Sequence, residues 1–328
     1  MDNVLSGMRP TGKLHLGHLH GVLENWLKLQ DEYNCFYFAA DWHALTSEFK
    51  NTSEIKDSIY EMVADWISVG IDPEKSTIFV QSHIKEHAEL HLLLSMITPL
   101  GWLERNPTYK ELKNELKNKD INTYGFLGYP ILQTVDIILY KAKYVPIGMD
   151  QLPHLELSRE IVRRFNYLYK KEVFIEPEPL FTQVSKLSGT DGRKMSKSYE
   201  NAIYISDEDD ELSKKVLNLV TDTNRVRRND PGNPKKCMAY EFHKLYCTEN
   251  ELAMINEECP KAGIGCFDCK KILLKRVEEK LKPIQEKRKK ILADKDYISD
   301  VIRKGDKEAR EKSRATLNEA LEAMELDY

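Results

Sequence analysis

The chain has 328 residues, a formal net charge of −4, 41% hydrophobic residues and 31% charged residues. A chain of this length can form two domains with separate cores, and its acidic balance argues against indiscriminate nucleic-acid binding. No apolar run approaches the ~20 residues that span a bilayer. The N-terminus lacks a basic region followed by an apolar core, so we expect no secretory signal, no membrane partner and a cytoplasmic location.

The first part of the chain alternates strand and helix patterns. Short apolar segments rich in β-branched or aromatic residues lie at 3–8, 35–41 and 76–82, and amphipathic helical patterns separate them at 20–33 and 53–70. Such alternation is typical of an α/β, Rossmann-like, doubly wound parallel sheet.

This pattern is interrupted once and then ends. Residues 85–140 are mainly helical, which we interpret as an insertion between two halves of the sheet, and 143–150 adds a further strand. From about 207 onward the chain is helical and highly charged. We therefore predict a nucleotide-fold domain over 1–204 and an all-helical domain over 205–328, and we expect the last amphipathic helix to pack back on the first domain.

The sequence HLGH at 15–18 stands where the first strand gives way to a helix. A helix N-terminus presents unpaired N–H groups that attract phosphate, and Gly17 leaves room for a nucleotide ring beside the backbone. His15 and His18 can donate hydrogen bonds to a phosphoryl group as negative charge spreads over it. Taken alone, four such residues are explained equally well by a structural helix start.

A second motif, DGRKMSKS, occupies residues 191–198. Lys194 and Lys197 carry compact charges on flexible stems, and Gly189 and Gly192 favour a mobile loop that closes over a triphosphate and neutralises the leaving pyrophosphate. A solvent-exposed lysine pair is the ordinary alternative. The order of the motifs favours a polyphosphate site, because the first opens the fold and the second follows the last predicted strand by about 45 residues.

Together, HLGH and KMSKS resemble the two signatures of class I aminoacyl-tRNA synthetases. The segments SGMRPTGKLHLGH, ADWHALT, YPILQTVD, GMDQ and TDGRKMSKS are similar to those of bacterial tryptophanyl enzymes, and the likeness extends over nearly the whole chain. The resemblance implies that ATP activates tryptophan to an enzyme-held adenylate and that tRNA(Trp) then accepts the acyl group. It also implies an anticodon-binding helical domain and a homodimer joined through the inserted helices.

The resemblance also implies residue roles. It makes His15, His18, Lys194 and Lys197 catalytic. No protein ligand for Mg²⁺ is evident, so we expect the ion to be carried by the triphosphate. The residues implied to bind ATP are Arg9, Pro10, Thr11, Gly17, His18, Gly148, Met149, Asp150, Ser185, Lys194, Met195, Ser196, Lys197 and Ser198.

The implied amino-acid pocket contains Tyr129, Gln133 and Asp136, whose spacing of i, i+4 and i+7 places them on one helix face. An indole N–H needs an acceptor, and the resemblance assigns Asp136 to it, with Tyr129, Gln133 and Gln151 holding the ammonium and carboxylate. A tyrosine hydroxyl could also donate to Asp136, so a tyrosyl enzyme is the alternative. Leu5 stands where tyrosyl enzymes typically carry a tyrosine. It would leave that hydroxyl partly unpaired at about 1–3 kcal/mol, which favours tryptophan.

Five of the six cysteines fall between residues 237 and 269. Cys259, Cys266 and Cys269 have C-x6-C-x2-C spacing, Cys237 is the predicted fourth ligand and Cys247 is its rival. Four thiolates suit zinc or an iron–sulfur cluster. The region resembles that of a subset of bacterial tryptophanyl enzymes with a [4Fe–4S] cluster, although Cys237 stands one residue closer to Cys259 than in that subset. This favours the cluster, with zinc as the alternative.

Two other classes of protein stay open from the sequence. A small-molecule nucleotidylyltransferase also carries an H-x-G-H signature on a similar sheet, but such enzymes are typically shorter and lack the helical tail. A non-catalytic RNA-binding paralogue is disfavoured because His15, His18, Lys194 and Lys197 are all intact.

Overall fold

The computed structural model describes residues 1–107, 109–110, 121–181 and 187–327. The chain divides into two compact units, the first with residues 1–12, 25–183 and 291–328 and the second with 13–24 and 184–290. None of the described helices is long and apolar enough to cross a membrane. The functional domains predicted over 1–204 and 205–328 stay a prediction, because compactness alone does not show where each activity lies.

The first unit is built on a five-stranded parallel sheet with the strand order β3-β2-β1-β4-β5. The chain runs outward from β1 to β3 and returns on the other side of β1 as β4, so the strand order reverses between β1 and β4. Sheets of this kind bind ligands at that switch point, beyond the carboxyl ends of the strands. The strands are β1 (Asn3–Met8), β2 (Asn34–Ala39), β3 (Ser76–Val80), β4 (Tyr144–Ile147) and β5 (Glu178–Phe181).

Helices connect and follow the strands, and those between β3 and β4 form the predicted helical insertion. The predicted α/β, doubly wound parallel sheet is confirmed. A π-helical turn, Leu19–Leu23, joins the first two helices. In chain order the described helices are α1 (Leu16–His18), α2 (Glu24–Leu29), α3 (Asp41–Glu48), α4 (Ile55–Val69), α5 (Glu86–Ile97), α6 (Leu100–Arg105), α7 (Tyr124–Leu139), α8 (Leu152–Tyr169), α9 (Asp209–Leu217), α10 (Met238–Tyr246), α11 (Glu249–Glu258), α12 (Cys266–Ala293) and α13 (Lys295–Ala323).

The last helix packs closely against the sheet of the first unit. Gly305 of α13 lies directly against β3, where a Cβ would come within 1.9 Å of the Ile78 carbonyl oxygen. Two hydrogen bonds also join α13 to β3. Asp306 accepts one from the Val80 N–H at 3.1 Å, and the Thr77 hydroxyl donates the other to Glu308 at 3.0 Å. These contacts fix α13 beside the carboxyl end of β3.

In the second unit, the segment that begins at residue 13 pairs with a segment far along the chain. The Leu16 N–H donates to the Ile203 carbonyl and the Ile205 N–H donates to the Leu14 carbonyl, both at 2.9 Å. All four side chains are buried. Helices α9 to α11 belong to the same unit, whose further buried residues include Leu212, Val216, Phe242, Ile255, Leu273 and Val277.

Candidate active site

The two histidines of HLGH lie against each other in the second unit. Their ring centroids are 3.8 Å apart, and the His15 N–H donates to His18 Nδ1 at 3.2 Å. Gly17 permits this arrangement, because a Cβ there would lie 2.9 Å from the His15 ring. The His15 Nδ1 atom is buried and has no hydrogen-bond partner within the described part of the chain. A buried, unpaired ring nitrogen beside a helix start is available to a ligand.

Burial makes both histidines neutral near pH 7. It lowers the pKa of His15 to about 4, and the positive charges of Lys197 and Lys194 lower it further in the same direction. For His18, burial lowers the pKa well below the ordinary value, with His15 and Lys197 adding to the effect. A neutral imidazole still donates one N–H. The two predicted signature motifs therefore influence each other electrostatically within one compact unit.

The loop that carries the lysines is tightly built. The Gly189 N–H donates to the Arg193 carbonyl at 2.6 Å, and the Met195 N–H donates to the Leu187 carbonyl at 3.0 Å. Gly192 adopts a φ of +84°, a conformation that favours glycine. Met195 is buried. Gly189 and Gly192 form a tight turn in the structure, and the expected mobility of the loop stays a prediction.

Asn201 holds this loop from inside. Its side chain is buried, donates to Asp191 at 2.7 Å and to the Lys194 carbonyl at 3.2 Å, and accepts from the Ser196 N–H at 2.9 Å. A Cβ at Gly189 would collide with this amide. Asn201 thus fixes the backbone from which Lys194 projects.

Other residues implied to bind ATP follow β1 and β4, the two strands that flank the switch point. Arg9 comes directly after β1, and its Nη2 donates to Ser47 Oγ at 2.5 Å. Burial lowers the pKa of the Arg9 guanidinium. Gly148 comes directly after β4, and a Cβ there would lie 2.7 Å from Asp150 Oδ1, so the Asp150 carboxylate folds back over it.

The remaining implied ATP residues are placed as follows. Pro10 and Thr11 continue the segment after β1, and Met149 is exposed in the turn Met149–Gln151. Lys197 and Ser198 belong to the short turn Lys197–Tyr199, and only the backbone of Ser198 is described. Ser185 lies outside the described residues.

Asp136, the residue implied to accept the indole N–H, is a buried carboxylate on α7 with only 2% of its surface exposed. Its Oδ2 lies 2.7 Å from His43 Nε2, and its Oδ1 accepts from the Gln81 amide at 2.7 Å. The Gln81 side-chain oxygen in turn accepts the Trp42 N–H at 3.2 Å. Because each carboxylate oxygen has a second lone pair, Asp136 can still accept a hydrogen bond from a ligand.

An apolar cavity of about 430 Å³ lies between α3, α5 and α7 of the first unit. This volume is within the range of small-molecule sites. Gly125, Tyr129 and Leu132 of α7 line it, and Asp136 lies one turn further along the same helix without lining it. Of the described residues implied to hold the amino acid, Tyr129 alone lines this cavity. The Tyr129 hydroxyl lies 3.0 Å from His154 Nε2.

The other residues implied to hold the amino acid lie on β1, on α7 and just before α8. Leu5 is buried on β1, and Gln133 on α7 and Gln151 before α8 are half-buried. His43, Gln81 and His154 make further polar contacts in this region, and no motif in the sequence assigned a role to them. Gln81 directly follows β3, so its position at a carboxyl strand end was a usable signal.

The cysteine cluster gives a mixed result. Cys237, Cys259, Cys266 and Cys269 line one small cavity in the second unit, whereas Cys247 lies 3.1 Å from His243 Nδ1. Burial raises the pKa of the Cys269 thiol to about 12. Across the described residues, however, no group of three or more histidine, cysteine or acidic side chains is arranged to hold a metal ion. The structure thus brings the four predicted thiols together without forming a metal site.

Comparisons with known proteins agree with the fold and the motifs. A family profile described as tRNA synthetases class I (W and Y) matches residues 2–282. The tryptophan–tRNA ligase of Thermotoga maritima is 55% identical over 327 residues, which cover 99% of both chains, and that of Aquifex aeolicus is 44% identical over 98% of this chain and 99% of its own.

A solved structure agrees as well. The tryptophanyl-tRNA synthetase of Campylobacter jejuni, crystallised with ADP and tryptophan, superposes with a TM-score of 0.90 at 32% identity and covers 99% of this chain and 100% of its own. The chain belongs to the class I tRNA synthetases for tryptophan and tyrosine.

Proposed function

We propose that this protein is a tryptophan–tRNA ligase that acts in the cytoplasm. The observation that carries the proposal is its 55% identity, over nearly its full length, to an enzyme of that name. In the first step a tryptophan carboxylate oxygen attacks the α-phosphorus of ATP, and the bond to the β-phosphate oxygen breaks to release pyrophosphate. In the second step the terminal ribose hydroxyl of tRNA(Trp) attacks the acyl carbon and releases AMP.

The proposed catalytic residues act by position and charge, without a covalent intermediate on the protein. Burial lowers the pKa of both imidazoles, so His15 and His18 are neutral. Each donates a hydrogen bond through its N–H to a phosphoryl oxygen as negative charge develops there. Lys194 and Lys197 neutralise the departing pyrophosphate. Mg²⁺ is carried by the phosphates, in keeping with its preference for phosphate oxygens and water.

Selection of tryptophan is assigned to residues of the first unit. Asp136 accepts the indole N–H, Leu5 presents an apolar surface to the ring, and Tyr129, Gln133 and Gln151 hold the ammonium and carboxylate. The hydrogen bonds from His43 and Gln81 to Asp136 support this role, because they fix the orientation of the carboxyl group.

ATP–pyrophosphate exchange tests the proposal directly. Tryptophan should support exchange, tyrosine should be at least ~100-fold poorer, and Asp136→Ala should nearly abolish the reaction. Asp296→Ala, which removes an exposed carboxylate from the start of α13, is the matched control and should leave exchange unchanged. Equal exchange with tyrosine would indicate the tyrosyl enzyme, and nucleotide release from a phosphorylated metabolite without tryptophan would indicate a nucleotidylyltransferase.

We also propose that Cys237, Cys259, Cys266 and Cys269 bind a [4Fe–4S] cluster that braces the helical part of the chain. Support comes from the donor set itself, four thiols around one cavity, and from Arg225, whose Nη1 lies 3.9 Å from Cys259 Sγ and offsets thiolate charge. Protein purified without oxygen should be brown and contain about four irons per chain. Cys259→Ser should lose the iron and Cys247→Ser should retain it. Colourless protein with one zinc would establish the alternative metal.

The homodimer is a further proposal, supported by an exposed apolar stripe on the inserted helices. Leu92 and Met96 of α5 are 55% and 71% exposed, and their spacing of four residues places them on one face of that helix. Leu100, which begins α6, is 56% exposed. Sedimentation should show a dimer, and Met96→Lys should shift it to monomer, whereas Tyr167→Lys, at another exposed apolar residue, should not. A wild-type monomer would contradict this proposal.

A further inference from the structure

A second groove of the first unit, with a volume of about 730 Å³, lies between α13 and the turn that follows β3. Its lining includes two carboxylates, Asp306 and Glu311, and one histidine, His83. Five permanent cations outnumber them, namely Lys85, Arg303, Lys307, Arg310 and Arg314. In a chain whose net charge is −4, this is a local excess of positive charge.

Four of these cations form a continuous stripe on α13. Arg303, Lys307, Arg310 and Arg314 follow one another at intervals of four, three and four residues, which keeps them on one helix face. At 1.5 Å per residue the stripe is about 16 Å long. That length exceeds a single phosphate or triphosphate and corresponds to several successive phosphates of a nucleic-acid strand.

Several groups of the groove contact one another or the neighbouring backbone. Asp306 lies 2.6 Å from His83 Nδ1 in addition to its bond with the Val80 N–H. Arg310 donates to the His83 carbonyl at 2.6 Å, and Arg314 pairs at 2.6 Å with Glu86, whose side chain is 1% exposed. The Asp306 carboxylate is therefore already bonded to His83 and to the Val80 N–H. Contacts within the protein position Arg310 and Arg314 before any ligand binds.

Most of the positive charge is available to an anion. Within the described residues, Lys85, Lys307 and Arg310 form no ion pair with a carboxylate. Arg303 pairs with Asp300 at 2.9 Å, but both side chains are largely exposed, and such pairs contribute less than about 1 kcal/mol. A phosphate can replace that partner at little cost.

We propose that this groove binds consecutive phosphates of the tRNA backbone, an inference that rests on the proposed function. Cations that contact phosphates supply affinity and position the nucleic acid without reading its sequence. The groove takes no part in adenylate formation, because its residues are separate from those assigned to ATP and tryptophan.

The test uses Arg303→Ala/Lys307→Ala, two exposed positions, in the full-length protein. We expect the KM for tRNA(Trp) in aminoacylation to rise about tenfold and the salt dependence of tRNA binding to fall by about one unit of slope for each lost phosphate contact. Tryptophan-dependent ATP–pyrophosphate exchange, which needs no tRNA, should be unchanged.

The matched control is Lys295→Ala/Lys304→Ala, which removes two positive charges from the same helix outside the groove. Equal weakening of tRNA binding by both double variants, or by neither, would overturn the proposal. So would a groove variant that loses binding of inorganic pyrophosphate in calorimetry while its tRNA affinity is unchanged. Failure of the proposed function itself is separate, since it would show as absent exchange with tryptophan in the unaltered protein.

Discussion

Asp136 is the residue whose replacement tests amino-acid selection most sharply, and Asp136→Asn changes its charge while nearly keeping its shape. The buried carboxylate accepts two hydrogen bonds of 2.7 Å, from His43 and Gln81. Asparagine offers one acceptor oxygen and one NH₂, and His43 can adapt by changing its tautomer. A hydrogen bond to a charged acceptor contributes about 1.5–3 kcal/mol, so kcat/KM for tryptophan should fall about 10- to 150-fold in exchange assays.

A substrate analogue isolates the hydrogen bond from other effects of the substitution. The benzothienyl analogue of tryptophan carries sulfur in place of the indole N–H and cannot donate. The unaltered enzyme should discriminate against it by a similar factor, whereas Asp136→Asn should treat tryptophan and the analogue nearly alike, as in a double-mutant cycle. If the variant still discriminates as strongly as the unaltered enzyme, Asp136 does not receive the indole N–H.

Three further outcomes are expected. Lys194→Ala should lower kcat of exchange by about 10²-fold with a small change in the KM for tryptophan. Lys235→Ala, at an exposed lysine, should change neither constant. An effect of Lys194→Ala on KM that is larger than its effect on kcat would contradict the role in pyrophosphate release. Gly305→Ala should destabilise the fold by about 1–3 kcal/mol in urea unfolding, because its Cβ would meet the Ile78 carbonyl, whereas Gly125→Ala, with nothing within 4 Å, should not destabilise it. Finally, burial lowers the pKa to about 4 in four histidines, namely His15, His87, His154 and His243. The free energy of unfolding should therefore fall as pH drops from 6.5 towards 4, because these histidines bind protons in the unfolded chain before they do so in the folded one. A flat profile over this window would contradict the burial of these rings.

Much of the first unit could be predicted because its strands and helices have clear periodicities. The segments NVLSGM and STIFV are short, apolar and β-branched, and they form β1 and β3 as expected. The strand β5 was missed because it has four residues, one of them Pro179, which suits an edge strand that needs fewer donors. Local pattern is weakest where a strand is short and lies at an edge.

The grouping of residues 13–24 with 184–290 could not be predicted for a different reason. It depends on hydrogen bonds such as that between Leu16 and Ile203, which join segments nearly two hundred residues apart and leave no periodic signal. The partners of Asp136 were missed similarly, since His43 and Gln81 come from separate elements. The motifs predict the reacting groups, whereas the residues that hold those groups in place could be found only in the folded chain.

Aminoacylation with matched amino acids and tRNAs tests the proposed specificity directly. Purified protein, ATP and Mg²⁺ are incubated with tryptophan and tRNA(Trp), and in parallel with tyrosine and tRNA(Tyr), and the charged tRNA is quantified. We expect tryptophan to be attached to tRNA(Trp) and the tyrosine pair to stay uncharged. Charging of tRNA(Tyr) with tyrosine, or of neither tRNA by a protein that binds tRNA(Trp) tightly, would contradict this expectation.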